Sequence, residues 1–133
     1  MNRTPELSHD ELRSLAADVA KLSTLLTSER EDLPAAYLKD ERLRNAYRAY
    51  FLPSNLSKIH KPLQELSLHP RDLFLKARLR FLDIGAGPGT ASLGGLTFFS
   101  QQERKNPHLE FTAVDQVAGN LKIAEALFSS FGT

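Results

Sequence analysis

The sequence predicts an α/β fold, with a helical N-terminal region over residues 1–78 and a sheet-containing domain over residues 79–133. Three observations predict it. Residues 8–68 carry apolar side chains at three- and four-residue steps, which is the spacing of amphipathic helices. Residues 81–91 combine an apolar strand, a glycine-rich turn and the start of a helix. Residues 109–115 have the composition of a second strand, so the domain begins as a β-α-β-α unit.

Three helices are expected in the helical region. The first begins at a capping box formed by Ser8 and Glu11. The second begins near Pro34 and ends where Leu-Pro-Ser at 52–54 predicts a break. The third follows, and a short linker over 67–78 leads to the sheet. Their apolar stripes are interpreted as packing surfaces.

The glycine-rich turn is the segment that points to a ligand. An acid, Asp83, stands two residues before the first of three glycines at alternate positions. Glycines let a backbone turn sharply and approach a ligand closely, and the helix that follows directs N–H groups at it. The spacing resembles motif I of S-adenosyl-L-methionine (SAM) dependent methyltransferases, which implies a Rossmann-like fold. The candidate cofactor-binding residues of the turn are Asp83, Gly85, Ala86, Gly87 and Gly89.

Two other interpretations of this turn stay open. The dinucleotide fingerprint Gly-x-Gly-x-x-Gly/Ala also follows a strand, but it would need a small residue where Thr90 stands. It also does not call for Asp83, whereas the ammonium and sulfonium of SAM favour a carboxylate there. The remaining interpretation is a strand-to-helix turn that binds no ligand.

Asp115 ends the second predicted strand. A crossover helix over 91–102 would make the two strands parallel, with a right-handed connection. An acid at this strand end can accept hydrogen bonds from the two hydroxyls of a ribose, so Asp115 is the sixth candidate cofactor-binding residue. Alternatively, Asp115 caps the helix predicted at 117–128.

Composition excludes several kinds of site. The 133 residues contain no cysteine and four histidines, which removes disulfides, thiolate ligands and thiol catalysis. We therefore expect no metal site. No run of about 18 apolar residues occurs and the N-terminus has no signal-peptide pattern, so we expect a cytoplasmic protein without a membrane contact.

Basic residues concentrate in residues 39–80, which hold ten bases and four acids although the whole chain has a net charge of only +1. Such a segment favours contact with a polyanion such as RNA. The alternative is a solvated helical surface that happens to be basic. DNA is not an expected partner. The residues predicted to contact RNA are Arg44, Arg48, Lys58 and Lys61.

Residues 47–59, Tyr-Arg-Ala-Tyr-Phe-Leu-Pro-Ser-Asn-Leu-Ser-Lys-Ile, followed by Leu-Asp-Ile-Gly-Ala-Gly-Pro-Gly-Thr at 82–90, carry a wider resemblance. Over residues 37–130 the chain resembles the Rsm-type family of SAM-dependent methyltransferase-like proteins associated with the small ribosomal subunit in bacteria and mitochondria. The resemblance implies SAM as cofactor and methylation of ribosomal RNA or a ribosomal protein. It also implies an alternative, a non-catalytic assembly factor that retains the SAM-binding fold.

The resemblance carries over residue by residue only in part. Asp83, the three glycines of the turn and Asp115 match the cofactor-binding positions, and no residue matches a catalytic position. Asn55 and Lys58 match the upstream motif, with RNA contact, a cover over the cofactor, or a structural turn or cap as open roles. The cysteines of the family's later portion have no counterpart here.

The predicted sheet is incomplete. A doubly wound SAM domain has six or seven strands, and this sequence predicts two. Parallel sheets are covered on both faces and gain stability as a set. We therefore expect the chain to be the N-terminal portion of a larger protein, inactive by itself and binding SAM weakly or not at all.

Overall fold

The computed structural model describes residues 6–28, 37–102 and 107–131. It is a mixed helix and strand structure, as predicted, and it divides into two compact units. The first unit is Met1–Phe51 and the second unit is Leu52–Thr133. This division lies well before residue 78, because the helical segments after Phe51 pack on a helix of the sheet. Within the described ranges, no helix is long and apolar enough to cross a membrane.

The first unit opens with α1 (His9–Thr27), which begins at the predicted capping box. The Ser8 hydroxyl accepts the Glu11 N–H at 3.3 Å, and the Glu11 carboxylate accepts the Ser8 N–H at 2.8 Å. These bonds satisfy backbone donors that the first turn of a helix leaves unpaired. The bonds from the Ser8 hydroxyl and then from the Ser8 N–H hold the pKa of the Glu11 carboxyl below its usual value.

A second helix packs against α1 within this unit. After a 3₁₀ turn at Tyr37–Lys39, α2 spans Glu41–Ala46 and a π-helical turn spans Tyr47–Phe51. The helix start expected near Pro34 lies outside the described residues. Arg42 forms a salt bridge with Asp18 of α1, with 2.9 Å between Nη2 and Oδ1. An apolar contact between α1 and α2 accompanies this salt bridge. That contact is built from the fully or nearly fully buried side chains of Leu22, Leu43 and Ala46.

The second unit begins with three short helical segments. These are α3 (Leu52–Asn55), a 3₁₀ turn at Leu56–Ile59 and α4 (His60–Ser67). The predicted break at 52–54 is therefore wrong. Pro53 is the second residue of α3, directly after the π-helical turn at Tyr47–Phe51, and π-helical turns and prolines both locally alter the regular hydrogen bonding of a helix. The third predicted helix exists, and its Leu63 is buried.

Two parallel strands form the sheet. β1 spans Arg78–Ile84 and β2 spans His108–Val114, with Arg78 paired to His108 and Ile84 paired to Val114. Between them lies α5 (Thr90–Ser100), and α6 (Ala118–Phe131) follows β2. The predicted strand–helix–strand–helix order and the parallel pairing are thus confirmed within the described residues.

One face of the sheet carries the core of this unit. Leu79 of β1 packs with Leu63 of α4 and with Phe98 and Phe99 of α5. On the opposite face, towards the carboxyl ends of the strands, apolar side chains are exposed to solvent. Their exposed fractions are 64% for Leu82, 76% for Ile84 and 49% for Val114.

The 3₁₀ turn at Leu56–Ile59 approaches α5 very closely at Gly94. A Cβ built at Gly94 would collide with the Leu56 carbonyl oxygen and would lie 2.6 Å from Cγ2 of Ile59. Glycine at this position therefore allows the two backbones to meet. This contact ties residues after Phe51 to the sheet.

Candidate functional site

The glycine loop, residues 85–89, joins the carboxyl end of β1 to the start of α5. Its glycines have left-handed backbone conformations, with φ of +73° at Gly85, +55° at Gly87 and +85° at Gly89. L-residues with a side chain rarely adopt such values, so the path of the loop requires glycine. The N–H groups of Gly85 and Ala86 both donate to the Val114 carbonyl, at 2.8 and 3.0 Å. The loop is thus anchored to the end of β2.

The three glycines differ in what lies beside them. Among the described residues, nothing lies within 4 Å of a Cβ built at Gly85 or at Gly87. At Gly89, a Cβ would lie 2.9 Å from the Cβ of Ala124 in α6. Packing against α6 therefore accounts for Gly89. The space beside Gly85 and Gly87 is open, and a ligand can approach the backbone there.

Asp83 caps the helix that follows the loop. Its Oδ2 accepts the Ser92 N–H at 3.2 Å and the Ser92 hydroxyl at 2.6 Å. A carboxylate at a helix N-terminus is also favoured by the helix dipole. Both side-chain hydrogen bonds that Asp83 makes within the described ranges use Oδ2, so Oδ1 of this carboxylate remains able to accept a donor from a ligand.

Asp115 connects the glycine loop to the start of α6. Its Oδ2 accepts the Gly87 N–H at 2.8 Å. Its Oδ1 accepts the Val117 N–H at 2.8 Å and the Asn120 side-chain amide at 3.2 Å. Val117 precedes α6, so Asp115 forms a turn with the residue two positions on and does not bond a backbone N–H of the helix. Its bond to the glycine loop was not predicted. A carboxylate accepts about four hydrogen bonds, so one further acceptor position remains.

The two acids flank the loop from the same side of the sheet. Side chains alternate along a strand, which places Asp83 on the face of Leu79 and Phe81, towards the helices. Asp83 pairs with Ala113 of β2, and Asp115 stands two residues after Ala113. Because side chains alternate between the two faces, Asp115 lies on the same side of the sheet as Asp83. No Lys or Arg occurs in residues 81–102. Two carboxylates beside an open backbone suit a cationic or hydroxyl-bearing ligand better than a pyrophosphate.

Two residues of this region were missed by the sequence reasoning. Ser92, which is 3% exposed, donates two hydrogen bonds to the Asp83 carboxylate. Asn120, which is 2% exposed, donates one to Asp115. The sequence does contain a pattern that could have identified Asn120. It stands four residues before Ala124 and eight before Phe128, so it is a polar residue within an apolar helical stripe.

The residues predicted to contact RNA belong to different units. Arg44, half-buried, and Arg48, exposed, lie in the first unit, while Lys58 and Lys61 are exposed in the second. Lys61 Nζ lies 3.6 Å from a carboxylate oxygen of Glu65, one helical turn away. Such exposed pairs contribute little to stability, so Lys61 remains able to meet a phosphate.

Asn55 stands between α3 and the 3₁₀ turn. It occupies the N-cap position of that turn, and its side chain makes no capping hydrogen bond. Asn55 therefore marks the boundary between two helical segments, which agrees with the role of a structural turn. The role of a side-chain cap does not agree with the structure.

In the part of the chain that the structure describes, no three His, Asp or Glu side chains lie close enough together to hold a metal ion. The chain was also compared with known proteins. A scan against protein-family models found no match, and searches of the curated proteins and of the solved structures found no significant match either. The Rsm-type resemblance therefore stays a prediction that rests on the residues quoted for it.

Proposed function

We propose that this chain carries the cofactor-binding site of a SAM-dependent methyltransferase-like protein, built on a Rossmann-like fold, that acts on or with the small ribosomal subunit. The observation that carries the proposal is the glycine loop. Its backbone at Gly85 and Gly87 is open, and one carboxylate flanks it at the end of each strand.

Each of these groups has a role in holding SAM. The open backbone at Gly85 and Gly87 would accommodate the methionine end. The remaining oxygen of Asp83 would accept the ammonium, and Asp115 would accept a ribose hydroxyl. When bound, SAM supplies an activated methyl group on a sulfonium. The residues of this chain therefore contribute placement and alignment, which are the main requirements of such a transfer.

The proposed methyl acceptor is ribosomal RNA or a ribosomal protein. Support comes from the basic residues of 39–80 and from the resemblance of residues 47–59. Exposed bases attract the phosphate backbone through a sequence-independent, salt-dependent interaction. Of the four residues predicted to contact RNA, Arg48 and Lys58 are exposed and have no ion pair with another described residue.

Ligand binding tests the cofactor assignment directly. Binding of S-adenosylhomocysteine to the protein is measured by saturation-transfer NMR and calorimetry, with NAD as the competing ligand class. We expect S-adenosylhomocysteine to bind and NAD not to bind. Asp115→Ala should weaken binding by about tenfold, because a hydrogen bond to a charged group is lost. Glu125→Gln, which removes an exposed acid from α6, is the matched control.

Two results would contradict the assignment. Preferential binding of NAD would favour a dinucleotide site. If Asp115→Ala changes the affinity for S-adenosylhomocysteine by less than about twofold, Asp115 does not bind the ribose. A hydrogen bond between a ribose hydroxyl and a carboxylate would contribute more to the affinity than that.

The second candidate is a ribosome assembly factor that retains the fold without turnover. It is favoured by the internal bonds of both acids, since Asp83 caps α5 and Asp115 holds the loop whether or not a ligand binds. Labelled methyl transfer from SAM to small-subunit RNA and protein distinguishes the two. Incorporation supports the methyltransferase, whereas co-sedimentation with the subunit and no incorporation supports the assembly factor.

A further inference from the structure

Asn120 is a buried polar residue to which the proposed function gives no role. It is 2% exposed and lies on one face of α6 with Ala124 and Phe128, at four-residue steps. Both of those residues lie beside Gly89, because a Cβ there would be 2.9 Å from Ala124 and 3.8 Å from Phe128. Asn120 is therefore on the face of α6 that packs against the glycine loop.

The amide of Asn120 is used on one side only. Its Nδ2 donates to Asp115 Oδ1 at 3.2 Å. The opposite orientation of the amide would direct its oxygen at a carboxylate that only accepts hydrogen bonds, so this assignment is determined by chemistry. Within the described residues, Asn120 Oδ1 is buried and has no hydrogen-bond partner.

An unpaired buried acceptor lowers the stability of the fold. Leucine has nearly the same size and would occupy this position without that cost. The contribution of the amide is therefore its bond to Asp115 and not the completion of its own hydrogen bonds.

The hydrogen bond from the Asn120 amide helps to determine the orientation of the Asp115 carboxylate. Oδ1 receives two donors, the Val117 N–H just before α6 and the Asn120 amide within α6. Among the described residues, Oδ2 receives only the Gly87 N–H of the loop. These two donors on the same oxygen hold the carboxylate against rotation. The other oxygen then faces the Gly87 N–H.

We propose that Asn120 is a positioning residue: its amide orients the Asp115 carboxylate so that the carboxylate holds Gly87 and keeps the glycine loop open to the cofactor. The effect on ligand binding rests on the proposed function. The effect on Gly87 is a property of the free protein.

Amide hydrogen exchange in the free protein tests the positioning. In Asn120→Leu we expect the Gly87 amide to exchange about tenfold faster, because a hydrogen bond that orients its acceptor is lost. The Gly85 amide, which donates to the Val114 carbonyl at 2.8 Å, is the internal control and should not change. The midpoint of thermal unfolding should stay the same or rise.

Asn120→Ala is the second variant, and it removes the amide without introducing a branched side chain. Faster exchange at Gly87 alone in both variants supports the proposal. An unchanged Gly87, or equal acceleration at Gly85 and Gly87, overturns it, since the first shows no coupling and the second shows a general loosening of the loop.

A double-mutant cycle measures the consequence for binding. Asn120→Leu should weaken S-adenosylhomocysteine binding about tenfold in the native background, and less than about twofold when Asp115→Ala is already present. Equal losses in the two backgrounds overturn action through Asp115. If the native protein does not bind S-adenosylhomocysteine, the proposed function fails, while exchange at Gly87 still decides the role of Asn120.

Discussion

Replacing Gly94 by alanine is expected to destabilise the second unit by about 2 kcal/mol, although alanine is the better helix former. Two opposing effects determine the result. Gly to Ala in a helix interior stabilises by about 1 kcal/mol. A new methyl group in a packed core costs about 1–3 kcal/mol. The cost at Gly94 lies at the upper end, because the obstructing atom is the backbone carbonyl oxygen of Leu56, which cannot rotate away.

Thermal and urea unfolding measure this loss. For a domain of this size, 1 kcal/mol shifts the unfolding midpoint by about 4–8 °C, so Gly94→Ala should lower it by roughly 10 °C. Gly95→Ala is the matched control in the same helix. A Cβ at Gly95 would lie 3.2 Å from the Phe111 ring, a side chain that can shift by a few tenths of an ångström. We expect Gly95→Ala to change the stability by less than about 1 kcal/mol.

The reasoning would be refuted by a Gly94→Ala variant as stable as the native protein. The 3₁₀ turn at Leu56–Ile59 would then not approach α5 as closely as the structure has it. The helical segments after Phe51 would not be tied to the sheet through this contact.

Three further predictions concern the caps and the basic residues. Asp83→Ala should destabilise the second unit by about 2 kcal/mol, because two buried donors lose their acceptor, whereas Asp83→Asn should cost less than about 1 kcal/mol because it keeps an oxygen there. The lowered pKa of Glu11 means that its contribution to α1 is present above the unfolded-state pKa and is lost as the pH falls through the folded value. Circular dichroism against pH should show this loss, and Ser8→Ala should reduce it, because the hydroxyl bond is lost while the bond from the backbone N–H of residue 8 remains. Replacing Arg44 and Arg48 together by alanine should weaken binding to unrelated RNA sequences about equally and should reduce the salt slope by about one for each lost phosphate contact.

Each of these has a contrary result. Equal stability of Asp83→Ala and Asp83→Asn would mean that the carboxylate does not cap α5. A pH dependence of α1 that is unchanged in Ser8→Ala would assign it to another acid. An unchanged salt slope would mean that Arg44 and Arg48 belong to a solvated surface.

The features that the sequence predicted correctly depend on neighbours along the chain. The capping box joins residues three apart, and its bonds follow from that spacing. The two strands follow from short apolar segments that end in an acid, and their parallel pairing follows from the intervening helix. The break at 52–54 was the local expectation that failed, because residues 52–54 are helical and follow a π-helical turn, a variant that the sequence pattern did not predict.

The sequence by itself determined that a strand, a glycine loop and a helix follow one another, with acids at both strand ends. Only the tertiary structure decided what each residue there contacts. Gly89 packs on α6 while Gly85 and Gly87 border open space, and Asp115 holds the loop through Gly87. These differences depend on the phase of α6 and on the register of two strands about thirty residues apart. Spacing along the chain specifies neither, because both are selected by the packing of distant side chains.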